Sequence, residues 1–244
     1  MIRKYLNLRT FRQLLFITRV FFLRFQKKNT SELSRNGFIT INNVFDKDYS
    51  EILFKKYKKK FNNKWNFVSK YKSLDKKDLF KILHFLEKKN ILEIVKIYLG
   101  QKIICYDNSV LFLGKNTSKE DSWQPHHDSK ENRVKIYIWL SKNNKNNQSI
   151  YYQVGSHKKI KFWKNYKETR FKKYSQNNSL KKIIGDQGGI SIFDTHGLHS
   201  GYKLSKKTRA SIVLTFEAVG ILKRINTKTS FGKKEINRLG AFIV

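Results

Sequence analysis

The chain has 244 residues, enough for one domain with a sizeable core and extensions, and it carries 52 Lys and Arg against 18 Asp and Glu, a net charge of +34. Its single cysteine, Cys105, excludes an intrachain disulfide framework and a cysteine-rich zinc site. Such a charge favours anionic partners, but Lys outnumbers Arg, is spread along the whole chain, and accompanies abundant Asn, Ile, Phe and Tyr with one Pro, so most of the charge reads as the codon drift of an AT-rich genome.

Residues 1–28 are basic and apolar with no acidic residue. Their core, LLFITRVFFLRF at 14–25, is interrupted by Arg19 and Arg24 and is too short and too charged to span a bilayer. No small-residue cleavage site follows, which argues against a secretory signal. A helix docked on the domain, a membrane-surface helix and a transit peptide stay open; the Arg residues do not gather on one helical face, which weakens the second. Next, 31–36 reads as a short helix capped by Thr30 or Ser31 and ended by Gly37, and FITINNV at 38–44 alternates as a strand does. Helical periodicity covers 47–61 and 73–89, with Ser73 and Asp75 as start signals, and a further short helix is predicted over 91–99. His84 falls on a surface or boundary position of this helical stretch. KIICYDNSVLFL predicts a strand or strand pair over 103–113, with Cys105 as a buried small hydrophobe. From there to 216 short strands alternate with polar turns, which predicts an all-β core. Residues 143–147 read as a solvent loop and 158–182 as the longest irregular stretch. The tail from 220 is basic, with a strand-like AFIV at 241–244. This divides the chain into an N-terminal extension (1–29), one globular domain (30–219) and a basic C-terminal extension (220–244).

The chemistry gathers in two stretches. The first is SWQPHHDSKENRVKIYIWL at 122–140. On extended backbone His126 and Asp128 point to one side and His127 to the other. An imidazole and a carboxylate so placed can grip one side of a metal ion, with a third ligand from elsewhere, as in the two-His, one-carboxylate triad. Alone, H-x-D is a weak signal. The second stretch is GDQGGISIFDTHGLHSGYKLSKKTRASIVLTFE at 185–217, where His199 is followed ten residues later by Arg209, which opens a strand-like run. His196 lies three residues before His199 and cannot share its face on extended backbone. His157 is expected in a structural turn and Asp194 in a local hydrogen bond.

In order, spacing and flanking residues, HHD at 126–128, VKIYIWLS at 134–141, VGSHK at 154–158, GDQGGISIFDTHGLHSG at 185–201 and Arg209 resemble the phytanoyl-CoA dioxygenase-like branch of the Fe(II)/2-oxoglutarate oxygenases. The resemblance covers roughly 31–217. It implies a mainly β chain with N-terminal helices supporting one sheet of a double-stranded β-helix, a cupin-like jelly roll. It implies Fe(II) held by His126, Asp128 and His199. Arg209 would take the distal carboxylate of 2-oxoglutarate, as its planar fork suits. Ser211, two residues on, would add a hydroxyl, and Lys115 would line the same pocket, although the Lys-Pro-Pro turn common in the family is FLGKN here. A second departure, NNQSI at 146–150 for the usual Asn-Gly-Pro, bears on loop shape. No catalytic residue beyond the metal ligands is implied.

The implied activity is hydroxylation of a small-molecule or lipid-like substrate, with 2-oxoglutarate and O2 as cosubstrates and succinate and CO2 released. Asp128 favours hydroxylation, since halogenating relatives have a small residue there. The insert at 158–182 would lie near the mouth and help select substrate. Nucleic-acid demethylase relatives carry a second Arg six residues after the first; Thr215 stands there, which argues against a nucleic-acid partner. The competing class is a catalytically inactive basic jelly roll binding nucleic acid or an anionic membrane. The expected location is cytoplasmic, with peripheral membrane contact through 1–28 left open.

Overall fold

The computed structural model describes residues 32–60, 69–71, 73–99, 103–113, 125–128, 133–142, 150–158, 180–201 and 209–218. Helix α1 (Glu32–Asn36) leads into β1 (Phe38–Ile41), followed by α2 (Lys47–Lys60), β2 (Ser69–Tyr71), α3 (Lys76–Lys88) and α4 (Ile91–Leu99). The strands β3 (Ile103–Leu113), β4 (Arg133–Trp139), β5 (Ile150–Gln153), β6 (Leu180–Ile183), β7 (Ile190–Asp194), β8 (His199–Gly201) and β9 (Arg209–Ala218) complete it. They form a six-stranded sheet in the order β1-β7-β4-β9-β3-β2 and a three-stranded sheet β6-β5-β8. Every named pairing is antiparallel. This is the jelly roll the sequence predicts, with the helices laid on the outer face of the large sheet.

Alternation along the central strands divides that sheet into two chemistries. Val134, Ile136 and Ile138 of β4, Ile190 and Ile192 of β7, and Ala210, Ile212, Leu214 and Phe216 of β9 pack in one core with Leu53, Ile82, Leu86, Leu92 and Val95 of the helices. The other face carries Arg133, Lys135 and Tyr137 on β4 opposite Glu217, Thr215 and Val213 on β9, with Trp139 opposite Ser211. Burial of the apolar face drives the fold, because alternation puts the apolar side chains on one side and removing their surface from water is favourable. A smaller apolar cluster closes the space between the two sheets: Phe38, Trp139 and Phe193 from the large sheet against Ile150, Tyr152 and Ile183 from the small one.

Strand β3 is one long strand, and its pattern is broken for a physical reason. Cys105 pairs with Phe216 and Asp107 with Thr215, so one extra residue bulges between them. Before the bulge Ile103 and Cys105 face the helical core; after it Val110 and Phe112 do. The bulge thus switches the parity of the alternation while keeping the apolar side inward. Burial pushes the Cys105 thiol up to about 12, so it is an inert core group.

The local expectations hold with shifts of one to three residues. Gly37 ends α1 in the left-handed region (φ 87°) and donates its N–H to the Leu33 carbonyl at 2.8 Å. The strand after it stops at Ile41 rather than 44. Asp75 occupies the position before α3 but its side chain does not cap the helix; it binds Lys60 at 2.8 Å and Lys56 at 2.9 Å instead, tying α3 to α2. His84 is exposed. Among the described residues no helix is long and apolar enough to cross a membrane. The expectations for 1–28, 143–147, the insert after Lys158 up to 179, and 219–244 lie outside the described residues.

Candidate metal centre

His126 and His199 are joined through their backbones. The His126 N–H donates to the His199 carbonyl at 2.8 Å and the His199 N–H to the His126 carbonyl at 3.0 Å, an isolated antiparallel bridge. Two residues on, the Asp128 N–H donates to the Thr195 carbonyl at 3.1 Å. This short extended run lays His126 and Asp128 against the entry to β8. Their side chains converge: Asp128 Oδ1 is 3.3 Å from His126 Nε2 and 3.3 Å from His199 Nε2. One donor atom from each of the three lies within 4.8 Å of the others. Two donors each about 2.1 Å from one ion, at right angles, sit about 3 Å apart, so the spacing fits a divalent ion.

The donor chemistry fits as well. His199 Nδ1–H donates to the Gly197 carbonyl at 2.8 Å, which leaves the Nε2 lone pair aimed at Asp128. Burial pulls the His199 pKa below its ordinary value, which favours the neutral imidazole that a metal ligand needs. Burial opposes ionisation of Asp128, but its neighbours outweigh it, the Lys135 ammonium among them, and hold the carboxyl well below the usual carboxylate range. The ring of His199 is fixed by aromatic neighbours, with centroids 5.2 Å from Phe193, 6.4 Å from Tyr152 and 4.6 Å from His126.

The remaining histidines do other work. His127 is 2 % exposed, points away from the site and donates from Nδ1 to the His196 carbonyl. His196 lies outside the three-residue cluster, and its N–H donates to Asp194 Oδ1 at 2.8 Å. Asp194 makes that local bond and a distant one, accepting from Tyr98 Oη on α4 at 2.5 Å. His157 sits in a 3-10 turn, Ser156–Lys158, and donates from Nε2 to the Ser34 carbonyl at 3.1 Å.

Arg209 opens β9 and is 3 % exposed, its guanidinium 5.9 Å from the Tyr137 ring centre and 5.7 Å from that of Trp139. Burial pushes its pKa down to about 10, and the guanidinium stays charged at neutral pH. Ser211 follows on the same face, fully buried, and its hydroxyl has no hydrogen-bond partner among the described residues. A buried hydroxyl beside a buried guanidinium suits an incoming carboxylate. Lys115 lies outside the described residues.

Three residues that the sequence pattern does not single out hold this arrangement. Ser156, in the G-S-H-K run, donates to the Gln153 carbonyl at 2.6 Å and accepts from the Leu198 N–H at 2.8 Å, anchoring the residue before His199. A Cβ on Gly197 would lie 1.7 Å from Tyr152 Oη, so only glycine lets the chain pass that ring. Lys135, seven residues after Asp128, forms an ion pair with Asp128 Oδ2. The signal for Lys135 was its place on the polar side of an alternating strand. Gly197→Ala is expected to destabilise the protein by about 1–3 kcal/mol in denaturant unfolding and to weaken Mn(II) binding, because displacing Tyr152 disturbs the ring stacked on His199.

The sequence matches no family model and no curated protein. Solved structures do resemble it. HygX from Streptomyces hygroscopicus, with nickel and 2-oxoglutarate bound, superposes with a TM-score of 0.59 at 15 % identity, covering 80 % of this chain and 87 % of HygX. The likeness is one of fold, the jelly roll described above. The epimerase SnoN, in complex with Fe3+, alpha-ketoglutarate and nogalamycin RO, gives a TM-score of 0.57 at 12 % identity, covering 76 % of this chain and 80 % of SnoN. EctD from S. alaskensis with bound Fe gives 0.58 at 13 % identity, covering 77 % and 74 %.

Proposed function

We propose that this protein is an Fe(II)/2-oxoglutarate-dependent dioxygenase that hydroxylates a small molecule or lipid-like substrate. The observation that carries the reading is the convergence of His126 Nε2, His199 Nε2 and Asp128 Oδ1 on one point, on the same side of the large sheet as Arg209. Two imidazoles and one carboxylate are the donor set of Fe(II) oxygenases that keep open positions for cosubstrates. In this reading His126, Asp128 and His199 hold the ion. Arg209 receives the distal carboxylate of 2-oxoglutarate with the Ser211 hydroxyl beside it, and Lys115 is a further candidate in that pocket. When bound, Fe(II) and 2-oxoglutarate supply the oxidising chemistry with O2, releasing succinate and CO2.

The chain's own residues bind, orient and exclude water. Tyr137 and Trp139 wall the guanidinium, so the carboxylate it receives would sit in a dry pocket where the ion pair is strong. The Gly197 carbonyl and the Tyr152 and Phe193 rings fix the His199 imidazole. Asp128 would be a ligand to the ion where halogenating relatives have a small residue, which favours oxygen insertion over halogenation. Hygromycin B bound to HygX and nogalamycin RO bound to SnoN support a small-molecule substrate.

The test is anaerobic titration of the folded protein with Fe(II) and 2-oxoglutarate, followed by the visible charge-transfer band of the chelated keto acid. A band, and then O2-dependent formation of succinate, is the expected result. A well-folded protein that binds Fe(II) and 2-oxoglutarate without a band, or binds neither, sinks the reading and leaves a binding module.

A further inference from the structure

The two oxygens of Asp128 have different neighbours. Oδ1 faces both imidazoles, 3.3 Å from each Nε2. Oδ2 is held by the Lys135 ammonium. Lys135 projects from the middle of β4, and its Cα pairs with Thr215 on β9 and Phe193 on β7. Its backbone is thus fixed by hydrogen-bonded strands on both sides, and its side chain is only 24 % exposed. Arg133, two residues before it on the same face, donates from Nε to Glu217 Oε1 at 2.8 Å, and the Lys135 ammonium is paired with Asp128.

We infer that Lys135 is a positioning residue that restricts Asp128 to one-oxygen coordination and keeps the neighbouring coordination positions open for the keto acid. The inference rests on the metal-site reading above. A carboxylate can bind an ion through one oxygen or through both. An ammonium on the outer oxygen disfavours the second mode, because that oxygen would have to leave its charge-assisted hydrogen bond to reach the ion. The same ammonium repels a divalent cation and attracts a dianionic keto acid. Its two effects on the ligands are therefore opposite in sign. A residue that merely held the fold together would weaken both ligands at once.

The opposition gives the test. Full-length wild type, Lys135→Met and Lys135→Arg are compared by calorimetric titration with Mn(II) alone, and by anaerobic titration of the Fe(II)-loaded proteins with 2-oxoglutarate read at the charge-transfer band. Thermal unfolding of the metal-free proteins serves as the folding control. Lys135→Met is expected to bind Mn(II) several-fold more tightly. It is also expected to bind 2-oxoglutarate at least about tenfold more weakly, the low end of the effect of outer-shell changes at metal sites. Its band should also be shifted, reporting the altered carboxylate. Lys135→Arg, which keeps the charge and the N–H donors, should lie within a few-fold of wild type on both ligands. Any other pattern, including a parallel loss of both affinities or no change in either, overturns the inference. Should Lys135→Met fail to fold, Lys135→Arg still decides: a loss of 2-oxoglutarate binding in a folded Arg variant overturns it. If wild type itself takes up neither Mn(II) nor Fe(II), it is the oxygenase reading that fails.

Discussion

Arg209→Met is expected to weaken 2-oxoglutarate binding by about 2–5 kcal/mol, the cost of truncating one side of a buried, hydrogen-bonded charge pair, while Mn(II) binding changes little. The stability of the metal-free protein should move the other way or not at all. Burial pushes the Arg209 pKa down to about 10, so its proton is held less tightly in the folded than in the unfolded chain. At every pH below about 10 the charged guanidinium therefore costs the folded state free energy, and the cost fades as the pH rises through 10 toward the unfolded value. Met keeps apolar contact with the Tyr137 and Trp139 rings without that charge. Thermal unfolding then shows a crossover: the variant is at least as stable as wild type without ligands, and wild type is the more stable with Mn(II) and saturating 2-oxoglutarate, which stabilises by about 2.7 kcal/mol at a hundred times Kd. A variant that still binds 2-oxoglutarate within threefold of wild type would remove Arg209 from the cosubstrate site.

Two buried histidines, His199 and His127, give the second large effect. His199→Ala is expected to lower Mn(II) affinity by more than about 100-fold, beyond the range of outer-shell changes. His127→Ala removes an imidazole buried just as deeply, with its own bond to the His196 carbonyl. It should lower stability by about 1–3 kcal/mol yet leave Mn(II) affinity within a few-fold. The contrast separates loss of a donor from loss of a buried ring. Calorimetric titration and denaturant unfolding of both variants measure it, and equal affinity losses in the two would mean that burial, not coordination, sets the result.

Much of this molecule is legible from its residues because β4, β7 and β9 alternate strictly once one face is committed to the helices. V134-x-I136-x-I138 and A210-x-I212-x-L214-x-F216 name that face, and the residues between them are then the inward set. His126 and Asp128 can be paired for the same reason, since extended backbone puts i and i+2 on one side; His199 joins them only through the family resemblance and its spacing to Arg209. Other features depend on three-dimensional partners that no local pattern encodes. The β3 bulge is invisible because IICYDNSVLFL offers apolar residues at both parities. Asp75 looks like a helix cap, and its carboxylate goes to lysines of a different helix. Gly197 and Ser156 matter through Tyr152 and Leu198, which are far from one or the other in sequence.

The backbone bridge between His126 and His199 bears on how the protein would be handled. Those two hydrogen bonds bring the donor atoms together from the chain alone, so under the proposed reading an arriving ion would not spend its binding free energy on ordering the polypeptide. A cage built in advance from two imidazoles and a carboxylate discriminates little among first-row divalent ions, whose intrinsic affinities rise from iron to nickel and copper. Preparations of this protein would then carry the metal history of the cells that made them, and a freshly isolated sample would report its growth medium until it was stripped and reloaded with ferrous iron.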